Sequence, residues 1–400
     1  MTKNFFCLFF FFCSACFTVF GDDILWDKWE VSKNSNFEID NKKRFNDLSS
    51  RRLSCKDRKD CSIETEAFDL APNSSYILGI FFLPDEAFIK GFGGIYISTN
   101  CGDNVSRASW KEALSVDEWI YLSLRFDTAS QTKARIKITI KGSGSIYLAS
   151  AKIDKIHPPD KGLDLSCHYM QIPFGTRVGD KIFNHLDVKE GAMEFWLRPL
   201  WAELNGGHFK DNDVKQFFFW GSQQYENSIS IYSWNKFPNL YFALCGENHK
   251  QGMSVFYYNA PDRGWRKNMW HHIAVCWKQD GENTRMNLFV DGMPCAEKNA
   301  KTVIAKYLKR DMFLGAGKRG NQLKTGKTAT SEIALFRISK KQKYTGPFLP
   351  GEYKVENDTL CFFPLNNGNE YIGFFADDVG GINKIKAKMI KIGNTGKDNK

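Results

Sequence analysis

Two histidines stand side by side at positions 271 and 272, inside the stretch WHHIAVCWKQDGENTRMNLFVDG of residues 270–292. With Asp291 downstream, these residue types would suit a metal site or a general base with an orienting carboxylate. Their spacing points elsewhere. Ile273, Val275 and Trp277 alternate with His272, Ala274 and Cys276, and Met286, Leu288 and Val290 alternate again after a turn over 279–283. That is the period of two β-strands. Neighbours on a strand face opposite sides, so His271 and His272 cannot ligate one metal from a regular strand. A helical zinc site needs two His four apart around a Glu, and the stretch has no such spacing. The pair reads as packing or hydrogen-bonding residues, and Asp291-Gly292 as a tight turn.

Other chemistry finds little support. A retaining glycosidase needs two carboxyls about 5–5.5 Å apart. One strand supplies that with acids two residues apart, but Glu194 stands between Met193 and Phe195 without such a neighbour. Glu64 and Glu66 have the spacing but lie just before a turn. No GxSxG elbow or phosphate loop occurs. After residue 21 the cysteines are Cys55, Cys61, Cys101, Cys167, Cys245, Cys276, Cys295 and Cys361. Their even number permits disulfides in an exported chain; Cys55 and Cys61 would close a small loop, and the pairing is otherwise open. No pair has CxxC spacing, which speaks against a zinc or redox site.

The 400 residues suffice for two or three domains. Residues 1–21 begin with Lys3, run through the apolar core Phe5 to Phe12 and end in small or apolar residues before Asp22, the pattern of a secretory signal peptide. Ser14-Ala15-Cys16 also resembles the end of a lipoprotein signal, with Cys13 where Leu is usual; lipid on Cys16 is the alternative. No later segment is long and apolar enough to span a bilayer. The expected location is secreted or at the cell surface. The formal charge is +10. It is spread along the chain without the dense blocks of a nucleic-acid arm. Such a surface suits acidic polysaccharides or anionic cell surfaces; the plainer reading is a solvated face.

Ala134, Ile136, Ile138 and Ile140 alternate with Arg135, Lys137, Thr139 and Lys141, as in a half-buried strand. Lys384 to Lys388 repeats the pattern, with Ile385 and Ala387 inward. Turn signals recur between such runs, at Asp280-Gly281, Asp291-Gly292, Gly93-Gly94 and Pro72-Asn73. The class is all-β, with two β-sandwich domains. Residues 22–157 form the first, 158–162 (Pro-Pro-Asp-Lys-Gly) a linker, and 163–395 the second with a C-terminal extension.

The first domain carries Leu70-Ala71-Pro72-Asn73-Ser74-Ser75-Tyr76, then Trp119-Ile120-Tyr121 through Phe126-Asp127-Thr128, and last Gly144-Ser145-Ile146-Tyr147-Leu148. This order resembles the galactose-binding-like β-sandwich of carbohydrate-binding modules. The resemblance implies glycan binding and allows a structural calcium, the one cofactor candidate. Ala149-Ser150-Ala151 stand where members of that family often carry acids, which speaks against this strand as a calcium holder. The second domain carries Glu190-Gly191-Ala192-Met193-Glu194-Phe195-Trp196, then the 270–292 stretch, Met312-Phe313-Leu314-Gly315, and Glu332-Ile333-Ala334-Leu335-Phe336-Arg337-Ile338. This series resembles the laminin-G-like, concanavalin A-like jelly roll, a fold that hosts many roles.

Sugar rings present apolar C–H faces, so glycan sites use exposed aromatics beside polar groups. Trp110, in the polar run Ser106–Lys111, is the first platform candidate and Tyr96 the second. Trp119, inside an apolar run, reads as core. In the second domain the candidates are Trp201, Tyr225, Trp234 and Trp265. The expected function is non-catalytic carbohydrate binding or adhesion, with a polysaccharide or glycoconjugate as partner. The alternative is a protein-interaction or surface-structural role, with a cell-surface protein as partner. A polysaccharide-degrading enzyme stands third.

Overall fold

The computed structural model describes residues 28–55, 60–91, 94–101, 104–110, 118–128, 132–200, 214–223, 226–234, 239–246, 253–257, 268–301, 308–319, 322–324, 329–351, 353–365 and 372–391, with Ser130. The signal-peptide and Cys16 readings lie outside these residues. Among them no helix is long and apolar enough to cross a membrane. The chain is all-β, and it divides into two compact units, Met1–Ile156 and His157–Lys400.

The first unit holds two antiparallel sheets. One is ordered Trp29–Val31, Cys61–Thr65, Lys133–Lys141, Gly94–Cys101, Asn104–Trp110, with Phe68–Asp69 also pairing on Lys133–Lys141. The other is ordered Ser35–Phe45, Leu48–Cys55, Ser145–Ile156, Ser74–Pro84, Ile120–Thr128. Ala134, Ile136, Ile138 and Ile140 are all fully buried, as their alternation requires. A disulfide joins Cys55 in one sheet to Cys61 in the other.

The strand Ser74–Pro84 is buried on both faces from Tyr76 onward. Tyr76, Leu78, Ile80 and Phe82 belong to one face. Ile77, Gly79, Phe81 and Leu83 belong to the other, and an open sheet would leave that face wet. Small residues solve this. Gly79 has no side chain, and Tyr121 fills the space, its ring so close that a Cβ on Gly79 would lie 2.1 Å from the phenol oxygen. Ala149 stands opposite Phe81. Phe45 stacks on Phe81 at 4.3 Å between ring centres. Phe45 comes from the tip of the hairpin Ser35–Phe45/Leu48–Cys55, which turns through Asn46 and Asp47, both with positive φ (48° and 64°). That is the backbone a two-residue hairpin favours, and Asn and Asp tolerate it.

The second unit pairs a nine-stranded with a seven-stranded antiparallel sheet. The larger is ordered Met293–Lys301, Asn283–Val290, His271–Asp280, Glu190–Pro199, Ser331–Ser339, Thr359–Phe363, Ile372–Ala376, Ile382–Lys386, with Leu163–Asp164 beside Ser331–Ser339. The smaller is ordered Met253–Tyr257, Asn239–Cys245, Glu226–Trp234, Lys215–Gln223, Met312–Leu314, His168–Ile172, Lys388–Lys391. Rings cross the gap between the sheets: Phe218 meets Phe336 at 5.8 Å and Phe242 meets Trp277 at 6.2 Å. Ile385 is buried, as its alternation requires, whereas Ala387 falls between two strands and is half-buried.

The far face of the nine-stranded sheet is also covered. Residues after Ser339 run back across it as a strap. Tyr344 and Phe348 stack at 3.6 Å and pack on Ala192, Ala274, Cys276 and Phe289. Cys276, a thiol in mid-strand, therefore serves as a small apolar contact, and burial pushes its pKa up to about 12. The strap is fastened at the Asp291-Gly292 turn, where the Phe348 N–H donates to the Gly292 carbonyl at 3.0 Å. Gly292 has φ 75°, and a Cβ there would lie 1.7 Å from the Phe348 carbonyl oxygen. Gly281 has a similar φ of 57° with nothing within 4 Å. Gly281→Ala should therefore cost about 1 kcal/mol, the left-handed backbone penalty alone. Gly292→Ala should cost clearly more, because the strap must also move. Denaturant unfolding of the two variants measures the difference.

Candidate functional site

The histidine pair is resolved by this architecture. His271 and His272 take opposite faces, with His272 opposite Trp196 and His271 opposite Leu197. His271 Nδ1 lies 2.7 Å from Asp291 Oδ2, and the His272 N–H donates to Asp291 Oδ1 at 2.8 Å. Asp291 is thus both turn-former and clamp. His272 lies under the strap, edge-on to Trp196, Phe348 and Tyr353 at 5.4–5.6 Å. Its Nε2 is 3.4 Å from Glu194 Oε2.

Glu194 is 1% exposed. Both of its oxygens are engaged. Arg337 donates through Nε at 2.7 Å and Nη2 at 2.5 Å to Oε1, and the Tyr344 hydroxyl donates to Oε2 at 2.6 Å. A buried carboxylate needs this degree of pairing, because an unpaired buried charge is very costly. Burial and then the Glu194 charge hold the Tyr344 phenol protonated, well above its ordinary range. Arg337 reaches on to Glu356 at 3.5 Å and to the Lys354 carbonyl at 3.2 Å. Lys343 bridges Glu356 and Asp358. The network ties the strap to the sheet. Within this clamp Glu194 itself is closed off from solvent, whereas Glu356 at its edge is partly exposed.

An accessible site of mixed character lies on the far face of the first unit's five-stranded sheet. Trp119 and Phe45 are both half-buried, with ring centres 5.3 Å apart and planes at 63°. Trp119 Nε1 donates to the Arg44 carbonyl at 3.2 Å, which fixes the indole. Beneath them lie Phe81 and Tyr121, 4.9 Å apart. Sheet register places a polar set on this same face. Arg52 stands opposite Tyr147 and opposite Glu38. The Arg52–Glu38 pair is 3.7 Å apart with both groups well exposed, and the guanidinium also donates to Ser145 Oγ at 3.2 and 3.3 Å. Further along the face, Arg125 is buried and donates to Asp127 at 3.2 Å and to Ser75 Oγ at 3.2 Å.

The second unit carries an open groove of about 1030 Å³ lined by Phe183, Asn184, Asp187, Lys189, Lys340 and Asp358 among others. Val379, 91% exposed, and Ile182, 45% exposed, stand on its wall. Asp377 is occupied by its own turn, accepting from Val379 N–H at 3.1 Å and Gly381 N–H at 2.6 Å. Beside the groove His185 is buried. Its Nδ1 donates to the Leu360 carbonyl and its Nε2 accepts from the Thr176 hydroxyl, each at 2.9 Å.

The aromatic candidates of the sequence fall out unevenly. Trp201, Tyr225 and Trp265 lie outside the described residues, as do the side chains of Trp110 and Trp234. Trp110 is not in a loop, which corrects that expectation. It ends the strand Asn104–Trp110, paired with Ile95. The polar side chains there are compatible with a strand because hairpin pairing with Gly94–Cys101 satisfies the backbone. Trp234 ends its own strand opposite Asn239. Tyr96, opposite Ser109, is half-buried with its ring against Gly94, and the Lys141 ammonium sits 5.1 Å from the ring centre. Trp119 is a rim residue rather than wholly core; the apolar run around it hid that it precedes its strand, Ile120–Thr128. Sequence reasoning missed Phe45, Arg52 and Glu38, whose only signal was the Asn46-Asp47 turn. In the final strand Ser150 is the positive-φ residue of a bulge, and the one acid of that strand, Asp154, lies further along. Among the described residues no group of three His, Cys, Asp or Glu could hold a metal ion.

No family model matches the chain, and no curated protein matches it. Among solved structures it is similar to the botulinum neurotoxin type G receptor binding domain, at 13% identity and TM-score 0.30, over 46% of this chain and 49% of that one. The chain thus spans about half the length of that domain. It is similar to the Ruminococcus gnavus IT-sialidase CBM40 bound to α2,6 sialyllactose, at 14% identity and TM-score 0.28, over 48% and 93%. It is similar to the CBM22 tandem of Paenibacillus barcinonensis Xyn10C, at 7% identity and TM-score 0.27, over 78% and 94%. At such scores the likenesses bear on neither the site nor its ligand.

Two buried histidines make the second unit acid-sensitive. Burial lowers the pKa of both His272 and His185 to about 4 from 6.5. The unfolded chain therefore binds more protons than the fold between those values. Their contribution is intact above pH 6.5 and falls as pH drops toward 4, by roughly 3 kcal/mol for each. Stability measured from pH 7 to 4 should decline over this window, and His272→Gln should decline less steeply than the parent chain.

Proposed function

We propose that the chain is a non-catalytic glycan-binding protein whose first unit carries the sugar-contacting face. One observation carries this reading: the rigid, half-buried Trp119–Phe45 ring pair shares a sheet face with the exposed Arg52–Glu38 pair. Aromatic rings accept the apolar C–H face of a pyranose, and a guanidinium and a carboxylate hydrogen-bond its hydroxyls. The rings are pre-positioned by Phe81 and by the Arg44 carbonyl, so little ordering is needed on binding. The galactose-binding-like resemblance of the first domain and the laminin-G-like resemblance of the second fit this role. The Cys55–Cys61 bridge supports an oxidising compartment, and with it secretion or cell-surface display. Glu194, locked by Arg337 and Tyr344, supports the non-catalytic part.

A second reading is favoured by a different observation. Val379, Ile182 and Ile382 are exposed aliphatics in the second unit, where Lys181 pairs with Asp378 at 3.4 Å. Aliphatics rimmed by charge suit a protein partner such as a cell-surface protein.

A glycan array probed with the purified chain and with Trp119→Ala separates them. The glycan reading expects at least one bound glycan and a loss of about tenfold or more in Trp119→Ala, about 1.4 kcal/mol. Binding to a cell-surface protein with no glycan bound at all supports the second reading. Release of sugar products from a polysaccharide, abolished by changing one carboxylate, would contradict both.

A further inference from the structure

The hairpin that delivers Phe45 has an irregular edge. Asp40 stands opposite Ser50, but Arg44 stands opposite Ser49, so Asn41, Lys42 and Lys43 are extra on their strand and have no cross-strand partner. The bulge is held by its own side chains. Asp40 Oδ1 accepts the N–H groups of Lys42 and Lys43, each at 2.8 Å. The Ser49 hydroxyl donates to Asn41 Oδ1 at 2.8 Å. Asp40 therefore spends an oxygen on the backbone, and Glu38 is engaged by Arg52. Lys42 and Lys43 are exposed, and neither has a salt bridge among the described residues, although the Lys42 charge acts on the Asp40 carboxylate. Arg44, in register with Ser49, faces away from Phe45, which stands opposite Leu48.

The cations are joined to the ring pair by the chain itself. Phe45 follows Arg44 directly, and the Arg44 carbonyl is the group that holds Trp119 Nε1. A ligand lying on the rings would meet positive charge at the adjoining edge of the same hairpin. A lipid surface fits less well. The exposed aliphatics of the hairpin, Ile39 at 57% and Leu48 at 58%, do not share a face. Leu48 shares a face with Ser50 and Arg52, whereas Ile39 stands opposite Arg51 on the other face. They cannot enter one membrane surface together.

We propose that Lys42 and Lys43, on the bulge next to the rings, form an anion subsite, which makes the preferred ligand an acidic polysaccharide carrying carboxylate or sulfate groups. The proposal rests on the glycan-binding reading of the Trp119–Phe45 face and names its ligand class. Lysine ammonium groups serve as point charges with rotatable donors, so the pair accepts either anion.

The test compares the full chain with Lys42→Ala/Lys43→Ala and with Trp119→Ala. The probes are polygalacturonate, its fully methyl-esterified form, heparin, and vesicles containing phosphatidylserine. Polygalacturonate or heparin should bind at least tenfold more tightly than the methyl ester. The double variant should lose that margin while keeping its affinity for the ester, with a shallower dependence on salt. Trp119→Ala should weaken charged and neutral polymers alike. Undiminished binding of the charged polymers by the double variant overturns the anion subsite and leaves glycan binding standing. Binding to the vesicles alone, with no polysaccharide bound, overturns both. Equal affinity for polygalacturonate, heparin and the methyl ester overturns the subsite only.

Discussion

Burying a β-strand on both faces is the constraint from which the rest of this protein follows. A sheet in a sandwich has one face against its partner, and the other is ordinarily wet. Here the strand Ser74–Pro84 of the first unit and the strand Glu190–Pro199 of the second are buried on both sides. Each needs a second cover, and the two units find different ones. In the first, Gly79 and Ala149 leave room for the rings of Tyr121 and Phe45 to lie flat. In the second, the strap that carries Tyr344 and Phe348 covers the face, held by the Tyr344 hydroxyl on Glu194 and by Arg337 on the Lys354 carbonyl.

The choice of cover has functional consequences. A strap closes a face, so Glu194 and His272 beneath it are shut off from solvent. Rings supplied by a hairpin tip and by Trp119 close a face only partly. Their outer edges stay accessible, beside exposed Arg52, Glu38 and the bulged cations. On the proposed glycan-binding reading, the apolar surface left over from covering the strand receives a ligand that is itself apolar on one side and polar at its rim. A pyranose has that form, which is the physical reason for placing glycan recognition on the first unit.

Much of the frame was legible in local pattern. The alternation of Ala134 to Ile140 marked a strand with its inward residues correctly assigned, and the same rule put His271 and His272 on opposite faces. Both depend only on the two-residue period of a strand. The partners of those residues were not legible, because they come from far along the chain. Glu194 looked isolated in its strand, yet Arg337 and Tyr344 close over it from 143 and 150 residues away. Trp110 was misplaced because polar neighbours suggested a loop where cross-strand pairing made a strand. Phe45 was overlooked since its surroundings are charged, and only the curl of the hairpin brings it onto Phe81. The site was thus less legible than the fold, for it is made where two segments meet.

On the proposed reading, the Trp119–Phe45 edge with Arg52 and Glu38 receives a sugar. A crystal structure of the chain with a bound acidic oligosaccharide tests it most directly. A sugar ring should lie over Trp119 or Phe45, its hydroxyls on Arg52 or Glu38. An oligosaccharide held elsewhere, with this ring pair bare, would contradict it.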